Sequence, residues 1–271
     1  MPKKKSSNEP IEYIDSQAFD EAKKKIIGKS HNDKGIGTLS EKTLHAVLKM
    51  YYEPDEDNHE VAIDGYYADI YNEHGIIEIQ TRQLNKLRDK LSVFLNEYQV
   101  RVVYPMPYEK YLSWIEPETG DITSRRKSPK RCSMYDAMFE LYKIKAFLKN
   151  PNLKVTLLLI DIEEYKLLNG WSYDKKRGSV RYDRIPVGIR KVIELDCPQD
   201  YMQFVPDGLE NNFTSADFAN AAHIDRQTAA SVLAMLNYME QVKRVGKTGN
   251  AYIYDLSLIH ISEPTRLQLI S

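Results

Sequence analysis

Cysteine is scarce in this sequence, because its 271 residues contain only Cys132 and Cys197 and no CxxC pair. This scarcity argues against a disulfide framework and a cysteine-rich zinc site, and a reducing cytoplasm is the expected location. No apolar run reaches the roughly 18 residues that a membrane helix needs. The N-terminal segment MPKKKSSNEP also lacks the apolar core of a signal peptide. We therefore expect a cytoplasmic protein without a membrane partner.

The sequence also lacks an excess of charge of either sign. The formal net charge is −1 at pH 7, which excludes a uniformly basic coat for nucleic acid. Any contact with DNA must therefore come from local basic patches. Hydrophobic residues make up 42% of the chain and charged residues 28%, as in globular proteins, and the length allows one large or two modest domains.

Residues 65–81, GYYADIYNEHGIIEIQT, have the pattern of a tight β-hairpin. Residues 66–71 and 76–80 are strand-like, and the NEHG segment between them is typical of a turn. A loop of two or four residues is centred between Glu73 and His74, and it pairs Asp69 directly with Glu78. A three-residue loop would shift the register and separate these two residues.

Two carboxylates that face each other across paired strands repel, so Asp69 and Glu78 would favour a bound cation. Gln80 lies on the same face by the two-residue period of a strand. Hard divalent metals with oxygen ligands are the natural candidates. The alternative is a solvated hairpin with its polar residues outward. In that case the inward residues are Ala68, Ile70, Ile77 and Ile79.

Around this hairpin, the periodicity predicts further elements. A helix is expected over residues 40–52, a short strand over 60–63, an amphipathic helix over 84–95 and an apolar strand over 99–104 that Pro105 and Pro107 end. The resulting order is α, β, β, β, α, β, which predicts an α/β (α+β) fold with helices packed on a mixed sheet.

This order, together with the motif ADI…GIIEIQ, resembles the core of the PD-(D/E)xK nuclease superfamily, whose fold is restriction-endonuclease-like. Asp69, Glu78 and Gln80 match its Asp and its E-x-Q variant, and the resemblance covers residues 38–104. It implies Mg²⁺ (or Mn²⁺) held by Asp69, Glu78 and the backbone carbonyl of Ile79. In the commoner form a Lys stands in the place of Gln80. Gln80 can orient water but supplies no charge, and Arg82 is a candidate for the missing cation.

Many members of that superfamily add a Glu from the first core helix, and Glu41 matches it here. Its spacing from Leu44 and Leu48 places it on the stripe that faces the sheet. Thr38 and Glu41 also form a T-x-x-E capping box, which explains Glu41 without catalysis. Both interpretations stay open.

Two basic segments flank the later strands, at residues 123–131 and 173–184. They either follow nucleic-acid phosphates or form solvated surface. The candidate phosphate contacts are Arg125, Arg126, Lys127, Lys130, Arg131, Lys175, Lys176, Arg177 and Arg181. A hairpin is expected over residues 108–121, a helix over 134–148, and a buried strand over 155–164.

Residues 213–254 read as helix, turn, helix and hairpin, which resembles a winged helix-turn-helix. Ser215 is the expected cap of its first helix, and residues 247–249 are the expected turn of the wing. In such domains the second helix enters the DNA major groove and the wing touches the backbone, although winged helices also bind proteins. The candidate DNA contacts are Arg226, Gln227, Thr228 and Ser231 on the helix, and Lys243, Arg244 and Lys247 on the wing.

We therefore predict four segments: a flexible basic arm (1–37) with one possible short helix around residues 17–27, a nuclease-like core with an extension (38–195), a winged helix (196–255) and a non-native tail (256–271). The tail contains LSLIHISEPTR, which resembles the translation of an adapter used in sequencing libraries. The predicted function is a metal-dependent nuclease that the winged helix directs to DNA. The alternative is a DNA-binding regulator that keeps the fold without activity. The whole chain also resembles an uncharacterised bacterial family.

Overall fold

The computed structural model describes residues 13–32, 43–171 and 177–257. In chain order, the helices are α1 (Ser16–Asn32), α2 (Thr43–Tyr52), α3 (Arg88–Phe94), α4 (Met138–Leu141), α5 (Ser215–Ala222) and α6 (Arg226–Tyr238). The strands are β1 (His59–Ile63), β2 (Tyr66–Asn72), β3 (Gly75–Ile79), β4 (Val100–Ile115), β5 (Arg126–Lys127), β6 (Leu153–Trp171), β7 (Arg177–Leu195), β8 (Phe213–Thr214), β9 (Val242–Thr248) and β10 (Ala251–Leu256). Short 3₁₀ helices cover Glu56–Asn58, Leu84–Leu87, Met134–Ala137, Tyr142–Phe147 and Pro198–Phe204.

Seven strands of the described chain form one mixed sheet in the order β1-β2-β3-β4-β6-β7, with β5 paired to β4. β3 and β4 are parallel, as are β4 and β6, whereas β1-β2, β2-β3 and β6-β7 are antiparallel. The order α2, β1, β2, β3, α3, β4 follows the predicted sequence of elements. The predicted mixed α+β architecture is confirmed at this level.

Helices cover both faces of the sheet and bury one hydrophobic core on each. On one face, α1 and α2 bury residues such as Phe19, Leu48 and Ile70. On the other, α3, α4 and the C-terminal elements bury Leu91, Met138 and others against the sheet. This sandwich of sheet between helices explains why β6 is apolar on both faces over its first half.

The helix α1 corrects the predicted flexible arm. Phe19 and Ala22 are buried against α2, and the Lys23 ammonium donates to the Val187 carbonyl at 2.7 Å. Helical spacing of these apolar residues gives α1 a packed face that its lysine-rich composition hides. Residues 1–12 and 33–42, which include Glu41, lie outside the described residues.

β4 continues through Pro105 and Pro107, so the prediction that these prolines end the strand is wrong. The carbonyls of Gln99 and Val103 face β3, and the Val100 N–H faces β6. Alternation along the strand therefore points residues 105 and 107 toward β3, whose pairing with β4 ends at Val103. In the described structure, no neighbouring strand accepts a hydrogen bond from β4 at these two positions, so the missing N–H of proline costs the sheet no hydrogen bond.

The second half of β4 and the segment after it form the predicted hairpin with a longer first arm. The Gly120 N–H donates to the Glu116 carbonyl at 2.8 Å, and Gly120 has a φ of +76°. The chain then returns along β4, where Arg126 pairs with Leu112. The basic segment 123–131 is therefore partly strand. The predicted helix over 134–148 is present as α4 between two 3₁₀ turns.

The C-terminal elements form a three-stranded sheet in the order β8-β10-β9, with α5 and α6 packed on it. Their core is continuous with that of the large sheet, because Tyr135 contacts the rings of both Phe204 and Phe218 at centroid distances of 6.3 Å. Thr214, not Ser215, caps α5, since its side chain accepts from the Asp217 N–H.

The end of this region differs from the sequence prediction in two details. The turn between β9 and β10 is Gly249 and Asn250, since Thr248 pairs with Ala251. Leu256 pairs with Val242, and the buried Ser257 hydroxyl donates to the Glu240 carbonyl at 2.7 Å. Residues 256 and 257 therefore belong to the fold and not to the predicted non-native tail. Residues 258–271 lie outside the described residues. Within the described part of the chain, no helix has the length and apolarity to cross a membrane.

Candidate active site

The hairpin of β2 and β3 has the two-residue loop and the register that the sequence predicts. Asn72 pairs with Gly75 and Ile70 with Ile77, so the same register sets Asp69 opposite Glu78. Beyond this ladder, the Ile79 N–H donates to Asp69 Oδ2 at 2.7 Å. Asp69 therefore lies between the two strands and is held by β3 itself.

Asp69 is nearly buried, with 14% of its side chain exposed. Its Oδ2 lies 3.2 Å from Nε2 of His45. His45 belongs to α2, which covers the face of the sheet opposite to α3. Burial raises the pKa of Asp69, but the His45 hydrogen bond and charge and the Ile79 N–H more than offset it, so the pKa lies below its ordinary value. Asp69 is thus an anion at neutral pH.

Glu78 is more deeply buried, with only 2% of its side chain exposed. The ammonium of Lys90, on α3, lies 3.0 Å from Oε1 and 2.9 Å from Oε2, and it also donates to the Tyr67 carbonyl at 2.6 Å. Burial and the negative charge of Asp69 raise the pKa of Glu78 to about 7, against the opposing effect of Lys90. Two adjacent carboxyls with pKa values displaced in opposite directions are typical of a functional site.

Gln80 and Arg82 do not supply the charge that the sequence leaves missing. The Gln80 amide donates to the carbonyls of Arg82 and Gln83 and so holds the loop after β3. The cation that contacts Glu78 is Lys90. Sequence reasoning missed Lys90 and His45, although each adjoins an apolar stripe, Lys90 between Leu87 and Leu91 and His45 beside Leu44. That adjacency was the available signal.

The donor set around Asp69 and Glu78 fits a small hard cation. Within the described ranges, no group of three or more His, Cys, Asp or Glu side chains is placed to hold a metal. Mg²⁺ does not need such a group, because it is commonly held by one or two carboxylates and completes its shell with water and substrate phosphate. Asp69 and Glu78 supply those carboxylates, and Ile79 adds a backbone carbonyl of the same strand. Glu41 cannot be placed, since it precedes the described part of α2.

The basic segment 123–131 is largely tied to acidic residues. Arg125 Nε lies 2.9 Å from Glu163 and its guanidinium covers the Tyr111 ring at 3.6 Å, while Lys127 and Arg131 both pair with the buried Glu109. The side chains of Arg126 and Lys130 are exposed.

In the second basic segment, Lys175 and Lys176 lie outside the described residues, as does the side chain of Arg177.

Four residues on α6 were predicted to contact DNA. Arg226 and Gln227 are exposed, Ser231 is half-buried and Thr228 is buried. The Thr228 hydroxyl donates to Oδ2 of Asp225, the residue that caps the helix, at 2.6 Å. Gln227 and Ser231 line a cleft of about 400 Å³ against α4, with Phe139 opposite.

The hairpin of β9 and β10, which is the predicted wing, carries its cations on the surface. Lys243, Arg244 and Lys247 are exposed. The Arg244 guanidinium lies 4.3 Å and the Lys247 ammonium 4.6 Å from the centre of the Tyr252 ring. The wing therefore presents one cluster of two cations around a half-exposed aromatic ring.

Comparisons with known proteins identify a family for this chain but assign no activity. A curated protein of Treponema pallidum (strain Nichols), whose name is "Uncharacterized protein", is 30% identical over 167 residues. The match covers 61% of this chain and spans 64% of the length of that relative. No solved structure matches. A family model described as "Domain of unknown function (DUF8091)" matches residues 42–196, which is more than half of the chain and includes Asp69, Glu78, Lys90 and His45. The chain belongs to the DUF8091 family.

Proposed function

We propose that this chain is a metal-dependent nuclease that cleaves DNA phosphodiester bonds, with its site at Asp69 and Glu78. One observation carries the proposal: the half-buried Asp69 carboxylate and the buried Glu78 carboxylate lie opposite each other on β2 and β3, and the Lys90 ammonium lies within 3.0 Å of both Glu78 oxygens. This arrangement combines two carboxylates and a lysine, the groups of a PD-(D/E)xK site, although the lysine comes from α3 and not from β3.

In this proposal, Asp69 and Glu78 hold Mg²⁺ or Mn²⁺, which would lower the pKa of a bound water and stabilise negative charge on the phosphate. Lys90, held beside Glu78, offers a fixed cation to the same phosphate. His45 fixes the Asp69 carboxylate through Oδ2. Gln80 keeps the loop after β3 closed and has no chemical role.

The proposed partner is DNA, with the wing as the second contact. Arg244 and Lys247 surround Tyr252, so phosphates meet two cations beside an aromatic ring. The exposed Arg226, at the start of α6, is a further candidate contact. Because these elements share a core with the large sheet, a DNA bound at the wing would be held in a fixed position relative to the site.

Purified full-length protein with supercoiled and linear DNA in Mg²⁺, Mn²⁺ or EDTA tests the proposal. Metal-dependent cleavage that Asp69→Asn, Glu78→Gln and Lys90→Met each reduce at least about 100-fold is the expected result. The matched control is Glu73→Gln, which removes a carboxylate from the same hairpin at a side chain that is 85% exposed. Cleavage that is unchanged in the three variants would refute this site.

A second candidate function has its own support in the pairing of Glu78. Lys90 already contacts both Glu78 oxygens and compensates the negative charge of that carboxylate without a metal, as expected for a DNA-binding regulator that keeps the fold without activity. Under this alternative, DNA binding survives Asp69→Asn and Glu78→Gln, and no metal produces cleavage. Fluorescence anisotropy with the double variant Arg244→Gln/Lys247→Gln measures the wing, and its salt slope should fall by about 2 if both residues contact phosphate.

A further inference from the structure

A second buried glutamate carries more positive charge around it than it can balance. Glu164, on β6, is 2% exposed. Two guanidiniums, Arg181 and Arg184, place their Nε atoms 3.2 Å from its Oε2, and two ammoniums, Lys110 and Lys166, lie 3.8 Å from its oxygens. We name these five residues the Glu164 cluster. Its four cations and one anion leave three positive charges uncompensated among the residues in contact.

The neighbouring buried glutamate provides a comparison. Glu109 pairs with Lys127, Arg131 and Arg190, but Arg190 also pairs with the buried Asp161 at 2.7 Å. Three cations there meet two anions, so that network is close to balanced. The Glu164 cluster is therefore different in kind from the ion pairs that surround it.

Burial and the neighbouring positive charges together lower the pKa of two cations of the cluster, Lys110 and Arg181. Burial lowers the pKa of Lys110 below its ordinary value, and the attraction of Glu164 does not offset the combined effect of burial and the charges of Arg184, Lys166 and Arg181. Burial and the charge of Arg184 likewise lower the pKa of Arg181, and the exposed Arg82, just after β3, adds to that effect. An anion at this position would relieve the repulsion.

One donor of the cluster is also left unsatisfied. Arg184 Nε donates to Glu164 Oε2 at 3.2 Å, whereas the buried Nε of Arg181, although it lies at the same distance from that oxygen, is not aligned with it as a hydrogen-bond donor. Buried N–H groups usually have a well-aligned acceptor. A ligand oxygen would satisfy it.

We propose that the Glu164 cluster binds a phosphate group, with Arg181 as its principal donor. Two guanidiniums present paired N–H groups that match a tetrahedral oxyanion, and the excess of three charges favours a doubly charged anion over chloride. Glu164 holds the two arginines in place and is not itself a ligand. Phosphate binding is measurable without cleavage, so this site can exist whether or not Asp69 and Glu78 form a nuclease.

Isothermal titration of the full chain with inorganic phosphate, at constant ionic strength in chloride, tests the proposal. We expect saturable phosphate binding to the wild type. Arg181→Gln should weaken it at least about tenfold, and Arg181→Lys, which keeps the charge but loses the fork, should also weaken it. Lys127→Gln, which removes one cation from the Glu109 network, should stay within about twofold of the wild type.

Two outcomes would overturn the proposal. One is a wild type that does not distinguish phosphate from chloride, and the other is equal weakening by Arg181→Lys and Lys127→Gln, which would indicate general charge attraction. Circular dichroism establishes that each variant is folded before its titration is used. A competition titration then identifies the source of the phosphate. Inorganic phosphate is titrated in the presence of either a 5′-phosphorylated or a 5′-hydroxyl oligonucleotide. Competition by the phosphorylated strand alone assigns the site to strand ends, and competition by neither assigns it to free phosphate.

Discussion

The pH dependence of stability offers a direct measure of Glu78. Its pKa is about 7 in the folded protein and 4.5 ordinarily, so the folded state binds this proton more tightly than the unfolded state does. The contribution of Glu78 to stability is therefore fully present below pH 4.5, is lost as pH rises between about 4.5 and 7, and is absent above that range. At 1.36 kcal/mol per pKa unit, the loss is about 3 kcal/mol.

Glu78→Gln removes this titration, because an amide stays neutral at every pH. The free energy of unfolding of the variant, relative to the wild type, should therefore rise by about 3 kcal/mol between pH 4.5 and pH 8. Urea denaturation followed by circular dichroism at several pH values measures this difference, and titrations common to both proteins cancel in it. Glu73→Gln should show no such change, since that side chain is 85% exposed. A difference between Glu78→Gln and the wild type that stays flat with pH would refute the assigned burial and repulsion.

Three further predictions concern the same hairpin and the metal proposed to bind there. Lys90→Met should destabilise the protein by about 2 kcal/mol at pH 8 and little at pH 5, where Glu78 is protonated, in the same denaturation assay. Gly75→Ala should cost about 3 kcal/mol, because at φ +106° its Cβ would lie 2.4 Å from the Gln99 carbonyl oxygen; Gly65→Ala, at φ +84° in open space, should cost about 1 kcal/mol. Calorimetric Mn²⁺ affinity should rise about tenfold per pH unit up to pH 7 and then level off, because the metal must displace the Glu78 proton; an affinity independent of pH would contradict this.

The parts of the fold that depend on neighbouring residues were predictable from the sequence. A loop of two or four residues in the NEHG segment pairs Asp69 with Glu78 from local sequence alone, and the structure has the two-residue loop. The sequence left open a three-residue loop, which would have separated the two residues. The length of β4 could not be predicted in the same way. Whether Pro105 ends a strand depends on which neighbour its nitrogen faces, and that neighbour is set by where β3 stops.

Long-range contacts also determine how the N-terminal helix packs and how far the charges of the basic segments are neutralised. A lysine-rich stretch reads as a loose arm until the apolar residues Phe19 and Ala22 are seen to meet α2. A run of arginines and lysines likewise reads as a phosphate track until its partners are known. Glu109, in the middle of β4, pairs with Lys127 and Arg131. Glu164, in contrast, has more positive charge around it than one carboxylate can neutralise.

The carboxylate pair shows most clearly what sequence can and cannot establish. Repulsion between Asp69 and Glu78 favours a nearby cation, and this expectation follows from the predicted hairpin alone. Its source does not, because Lys90 reaches Glu78 only through the packing of α3 on the sheet. Lys90 also separates the two proposed functions. If Mn²⁺ binds beside Lys90, the Glu78 proton is released and the measured pKa falls well below 7; if Lys90 alone satisfies the pair, added Mn²⁺ leaves that pKa near 7 and the site is a closed structural ion pair.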